Sequence, residues 1–161
     1  MKKPLHSISI TPLVFKKHLY QECSHILDER ISRGHQLLDD LKNDAQNDAK
    51  SSAGDKHETA ISMMQLEQEK LNRQLHEYVK QKDALEKLAP DTIHTRIMAG
   101  SIVVTNKGIF YLITAIGKIQ FNQTEVQCIS PQAPLALALA GKKSGDSIQF
   151  MNQTYEVLEI I

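Results

Sequence analysis

The spacing of apolar residues changes at Pro90, and no single regular element accommodates both sides of that residue. Before it, Tyr20, Leu27, Ile31, Leu38, Leu41 and Ala45 step by seven, four, seven, three and four, with Ser24 and Gly34 in the missing positions. Ile61, Met64, Leu71, Leu75, Tyr78 and Leu85 step by three, seven, four, three and seven, with Gln68 and Lys82 in the gaps. Each set is one narrow heptad-like seam along a helix. Only "KSSAGD" separates the two, so the helices run antiparallel. At roughly 30 residues each they form an arm of ~45 Å. The narrow seams leave most of each helix surface to water, which predicts a protruding two-stranded coiled coil. Thr11 is the expected N-cap of the first helix and Pro12 its first residue. Gly34 is expected to kink or break that helix, and Pro90 to end the second.

After Pro90 the period is two. "SIVVTNKGIFYLITA" reads as a hairpin turning at Asn106-Lys107-Gly108. "KIQFN" and "TEVQCIS" read as short strands, and "APLALALAG" as a short helix with Gly141 just past its end. "DSIQFMNQTYEVLEII" reads as a second hairpin turning at Asn152-Gln153. The expected fold is therefore α+β. A coiled-coil domain covers residues 1–89, with its tip at about 50–58, and a small antiparallel sheet with one short helix covers 90–161.

Composition narrows the function classes. Of 161 residues, 41% are hydrophobic and 24% charged, as in a globular chain. Lys+Arg and Asp+Glu both number 19, which argues against coating of nucleic acid or an anionic membrane by bulk charge and leaves room for a local charged site. His6, Ser7, Ser9, Thr11 and Pro12 interrupt the apolar start, so no secretory signal is expected there. No run approaches the ~20 apolar residues of a membrane span. Cys23 and Cys128 match no metal or redox spacing, and they read as reduced thiols of a cytoplasmic protein.

The tip carries Asp55 and Glu58, three residues apart at a helix start. Their plain reading is a capping box. The same hard oxygens could also complete the sphere of a divalent cation that a partner already holds, since two carboxylates are too few for a closed site. His57, between them, could add a nitrogen ligand, or lie exposed on a loop.

The stretch "ISPQAPLALALAGKKSGDSIQF" resembles the C-terminal signature of the Gre transcript-cleavage factors. The matching residues are Ser130, Pro134, Leu135, Leu139, Gly141, Lys142, Gly145 and Asp146. "YEVLEI" is similar to that family's last strand. The family's tip motif, Gly-Asp-x-x-Glu-Asn-Ala, is matched here by Gly54-Asp55-Lys56-His57-Glu58-Thr59-Ala60, with Thr59 in place of Asn. Layout is shared over about residues 18–161, and the specific matches lie in the tip and the C-terminal stretch.

The resemblance implies an N-terminal coiled coil and an FKBP-like C-terminal domain. It implies a factor that binds RNA polymerase and nascent RNA, and the chain is expected to be a monomer with no membrane partner. The coiled coil would enter the polymerase secondary channel. There Asp55 and Glu58 would help retain a catalytic Mg²⁺ that the polymerase supplies, with no stably bound cofactor of the chain's own. Ser130, Pro134, Leu135, Gly141, Lys142, Gly145 and Asp146 are the candidates for docking on the polymerase. Lys50, Lys56, Lys70 and Arg73 are the candidates for touching RNA, against a plain reading as a solvated helix face. Asp39, Asp40, Asp44 and Asp48 make the first helix acidic near the tip. The chain would then be no enzyme alone, but an accessory to the polymerase's own hydrolysis. The alternatives are a channel regulator that does not stimulate cleavage and a coiled-coil interaction module. A thiol enzyme built on Cys128 is a rival that the strand pattern disfavours. So is a prolyl isomerase lined by Phe110, Tyr111, Phe121, Phe150 and Tyr155, which read as sheet core.

Overall fold

A computed structural model describes residues 11–49 and 54–161, apart from the side chains of Asp48, Ala49 and Asp55. Two long helices, α1 (Pro12–Ala49) and α2 (Asp55–Glu86), precede six strands and one short helix. The strands are β1 (Ile102–Thr105), β2 (Gly108–Leu112), β3 (Gly117–Phe121), β4 (Thr124–Ile129), β5 (Ser147–Phe150) and β6 (Gln153–Ile160), with α3 (Pro134–Leu139) between β4 and β5. This is the α+β class that the change of period implies. The chain divides into two compact units. One joins the residues up to Ser24 to Asp83–Ile161, and the other is His25–Lys82.

In the sheet unit, α1 begins as its sequence directs. Pro12 is the first helical residue, and Thr11 receives Val14 N on its hydroxyl (3.4 Å) and Phe15 N on its carbonyl (3.0 Å). The sheet order is β3-β4-β2-β1-β6-β5. All pairs are antiparallel except β2–β4, which is parallel, so the expected all-antiparallel sheet is mixed. The reason is topological. After β2 the chain crosses to the sheet edge as β3, and the tight Asn122-Gln123 turn brings β4 back beside β2 in the same direction. Strand β6 serves two partners, pairing through Gln153–Glu156 with β5 and further on with β1. Between them a register shift at Val104/Thr105 leaves Leu158 unpaired on β6 and half exposed, the signature of a β-bulge. Asn106 secures the bulged edge, its amide side chain accepting from Glu156 N and donating to Thr154 O.

Every residue of β1 is buried, because both faces of the sheet are covered. On one face Val103, Leu112 and Val157 pack with Ile97 and with Ala136 and Leu139 of α3. On the other lies the start of α1. Phe15 meets Phe121 edge-on at 5.5 Å between ring centroids, and Cys23 meets Cys128 of β4. The sheet thus has a second helix besides α3, one that the alternating pattern of residues 90–161 does not reveal.

Two expected boundaries shift. Helix α2 ends at Glu86, four residues before Pro90. The last hairpin turns at Met151-Asn152, one residue earlier than the sequence suggests, with Phe150 opposite Gln153. The far end of the ladder fixes this register, where Gly145 N and Asp146 O both bond to Val157. Both turn residues have positive φ, 46° for Met151 and 60° for Asn152, as a two-residue primed turn requires. Asparagine tolerates that region and methionine does not. Met151 is 79% exposed, so its side chain has little burial to lose. Met151→Asn is therefore expected to raise the unfolding free energy by about 0.5–1 kcal/mol in urea titrations.

In the helical unit, α1 and α2 pair antiparallel. Lys82 Nζ lies 2.8 Å from Asp28, the Arg30 guanidinium 5.7 Å from the Tyr78 ring centroid, and Gly34 opposite Leu75. Leu38 and Leu27 are buried, and the other seam positions from Ile31 to Ala45 and from Met64 to Lys82 are half-buried. Gly34 does not interrupt α1. A Cβ there would stand 3.1 Å from Leu75 Cδ1, so the glycine permits close approach of the two helices rather than a break.

Candidate functional site

Helix α2 starts at Asp55, with Gly54 before it at φ 142° and its carbonyl accepting from His57 N at 2.9 Å. The cap position thus falls on Gly54, one residue before the capping box read from the sequence. Asp55 and Glu58 occupy the first turn and, three residues apart, share a helix face. The unpaired amides of a helix N-terminus favour negative charge, so the turn tolerates two neighbouring carboxylates. Glu58 and Lys56 are exposed, and His57 is half-buried. The side chain of Asp55 and all of Lys50 lie outside the described residues. Among the described residues, no group of three or more His, Cys, Asp or Glu is placed to hold a metal. The donor set at the tip, two carboxylates in the first turn, suits a hard divalent cation already held by something else.

Behind the tip, an apolar groove runs between the helices, lined by Leu41, Ala45, Ile61 and Met64 with Gln65 and Gln68. The candidate RNA-binding cations have neighbours on their own helix. Lys70 Nζ is 3.7 Å from Glu67, and Arg73 Nη1 is 3.8 Å from Glu69, all four side chains being largely exposed. Such pairs contribute little. Lys70→Ala and Arg73→Ala are each expected to change the unfolding free energy by less than about 0.5 kcal/mol in urea titrations.

The candidate docking residues lie in the sheet unit, and each has a structural task. The Ser130 hydroxyl bonds to the Gln132 side chain and accepts from Gln132 N, and the Ser130 carbonyl accepts from Ala133 N. This closes the turn before Pro134, the first residue of α3. Leu135 packs against the core cluster, and Leu139 is fully buried. Gly141, at φ 75°, donates to Ile97 O, and the Lys142 carbonyl accepts from Ile97 N. Gly145, at φ 90°, donates to Val157 O, while Asp146 Oδ2 accepts from Lys143 N. The family-like stretch is thus a helix, a glycine-pinned turn and a strand. The exposed side chains it presents include Pro134, Leu137, Lys143 and Ser144.

The aromatics of the isomerase rival are engaged in packing. Tyr111 is fully buried, Phe121 meets Phe15, and Phe110 and Phe150 both lie against Tyr155.

Two buried clusters in the sheet unit have no counterpart in the sequence reading. Lys16 is wholly buried. Its Nζ donates to Thr92 O and Ile161 O and lies 3.4 Å from His94 Nδ1, which also meets Ser101 Oγ at 3.0 Å. Burial lowers the Lys16 pKa to about 8. Burial first, and then the Lys16 charge, lower that of His94. The second cluster is the pair of thiols, Cys23 and Cys128, in contact and both free. A single lysine in an apolar helix face and two cysteines 105 positions apart give no periodic signal.

No protein-family model matches the chain, and no curated protein matches it. Among solved structures, one described as that of the transcription factor Gfh1 is similar, at 18% identity and a TM-score of 0.34, over 85% of this chain and 92% of that one. A TM-score that low leaves the site to be read from the residues themselves. No helix among the described residues is long and apolar enough to cross a membrane.

Proposed function

We propose that this chain is a cytoplasmic transcription factor of Gre type, which binds RNA polymerase and stimulates hydrolysis of backtracked RNA. One observation carries the reading. The run Gly54-Asp55-Lys56-His57-Glu58 opens α2 at the turn end of an antiparallel helix pair, a place from which two acids can be handed to another protein's metal. The Gre-like stretch of residues 129–150, folded as helix, glycine turn and strand, supports the same family.

In this reading the helix pair occupies the secondary channel, and residues 90–161 form an FKBP-like domain that docks at its mouth. Asp55 and Glu58 contribute carboxylate oxygens, and they orient a water for in-line attack on the scissile phosphorus. Asp55 and Glu58 would help hold a Mg²⁺ ion of the polymerase, whose chemistry would be charge stabilisation of the attacking and leaving oxygens. The P–O bond to water would form as the bond to the 3′ oxygen breaks; the attacking water gives up one proton and the leaving 3′ oxygen takes one. The chain itself acts as an accessory and needs no cofactor of its own.

A second reading is a factor that occupies the channel without cleavage. Thr59 stands where the Gre motif has Asn, and Lys70 and Arg73 each have an acidic neighbour on α2. Mixing the protein with stalled, backtracked elongation complexes separates the two. RNA shortening above the polymerase's own rate supports the first reading. Displacement of a known channel binder without shortening supports the second. If neither occurs, the chain is a coiled-coil interaction module.

A further inference from the structure

Cys23 of α1 and Cys128 of β4 bring their sulfurs to 3.6 Å in the core of the sheet unit. Cys23 is fully buried and Cys128 2% exposed. Neither is bonded covalently. That spacing is far longer than the ~2.05 Å of a disulfide and suits a thiol–thiol hydrogen bond. Tyr111, the register partner of Cys128 on β2, is buried beside them. No other pair of thiols exists in the chain, so an intramolecular disulfide has one possible connectivity.

We propose that Cys23 and Cys128 are a latent disulfide, which a small-molecule disulfide such as oxidised glutathione closes to link α1 covalently to the sheet. One protein thiolate attacks a glutathione sulfur, forming a mixed disulfide and expelling one glutathione thiolate. The second protein thiolate then attacks the mixed disulfide at the protein sulfur and expels the other. The protein loses two electrons and two protons, and one oxidised glutathione becomes two reduced ones. The native contact supplies the proximity that the second step needs, and the link spans 105 positions of sequence, a long loop whose closure restricts the unfolded chain strongly. The Cys128 thiol is pushed well up by its hydrogen bond to Cys23 and by burial, so reaction in the closed fold is slow. It proceeds as this part of α1 opens from the sheet, because the thiolate is the attacking form. The link is thus a record of sustained oxidising conditions rather than a fast sensor.

The full-length protein is equilibrated in glutathione buffers of stepped redox ratio, quenched with acid and alkylated, and the thiols are read by mass spectrometry. The same series is run in denaturant. The expected product is a Cys23–Cys128 linked peptide, with an oxidation equilibrium constant in the native protein on the order of 100-fold above that in denaturant. The linked protein should melt on the order of 10 °C higher than the reduced one. An equal or lower constant in the native protein, a link between two chains, or a lower melting temperature on oxidation would each overturn the proposal.

Discussion

Alanine at both Asp55 and Glu58 is expected to cut polymerase-dependent RNA shortening on the order of 100-fold, while affinity for the polymerase stays within about threefold. The separation of the two readouts follows from placement. Both acids sit on the first turn of α2, before the seam positions that begin at Ile61, and Glu58 is exposed. Their removal should cost the isolated protein about 1 kcal/mol, from lost attraction between carboxylates and the helix N-terminus. Single-turnover shortening of backtracked complexes reads the first quantity, and competition against a labelled channel binder reads the second. Undiminished shortening by the double variant would remove the acids from the chemistry. A parallel loss of binding would make them docking groups instead.

The largest stability effect should come from a residue of the sheet unit. Lys16 is buried with its amine bonded to two carbonyl oxygens, and its pKa falls to about 8. A lysine in the unfolded chain keeps its proton to about pH 10.4. Between those values the unfolded state binds the extra proton, so Lys16 makes stability rise with pH at about 1.4 kcal/mol per unit. Cys128 opposes this. Its thiol is held protonated in the fold, whereas an unfolded cysteine ionises near pH 8.5, so its contribution falls as pH rises beyond that point. Buried Tyr111, raised in the same sense, adds a falling contribution above about pH 10. The wild type should therefore gain stability from about pH 8 to 8.5–9 and then run nearly level to about pH 10. In Lys16→Met the rising contribution is gone, and the curve should fall through the same range. The difference between the two proteins should change by about 2–3 kcal/mol from pH 8 to 10, read from urea titrations at each pH. Parallel curves would show that Lys16 does not lose its proton in the fold. His94 adds a rise on the acid side, since its lowered pKa means that the unfolded chain takes up its proton first.

Much of this architecture is legible in residue spacing. The seam from Ile31 to Ala45 and from Met64 to Lys82 marks the helix pair, and Thr11-Pro12 marks where α1 starts. The alternation after Pro90 marks the strands, because a sheet face repeats every two residues whatever lies on it. What the pattern does not carry is what covers each face. The first turns of α1, with Phe15, Leu19 and Cys23 buried, look in sequence like a continuation of the coiled coil. A helix seam has the same period whether it meets another helix or a sheet. The parallel β2–β4 pair is hidden for a related reason, since alternation is blind to strand direction. At the tip, spacing reveals the two acids but not their use, because a first-turn carboxylate serves a helix end and a metal equally well. Lys16 is missed because composition assigns lysine to the surface.

The order in which the two units become complete as the chain leaves the ribosome follows from how they divide the sequence. All partners within the helical unit lie between His25 and Lys82, so that hairpin can zip up as soon as α2 has emerged. The sheet unit is closed by long-range contacts. Lys16 waits 76 positions for Thr92 and 145 for Ile161, and Cys23 waits 105 for Cys128. Phe15 and Leu19 are therefore made well before the strands that bury them. The window in which the nascent chain is vulnerable to aggregation, and of use to a chaperone, is set by the first two turns of α1, made before the strands that bury them.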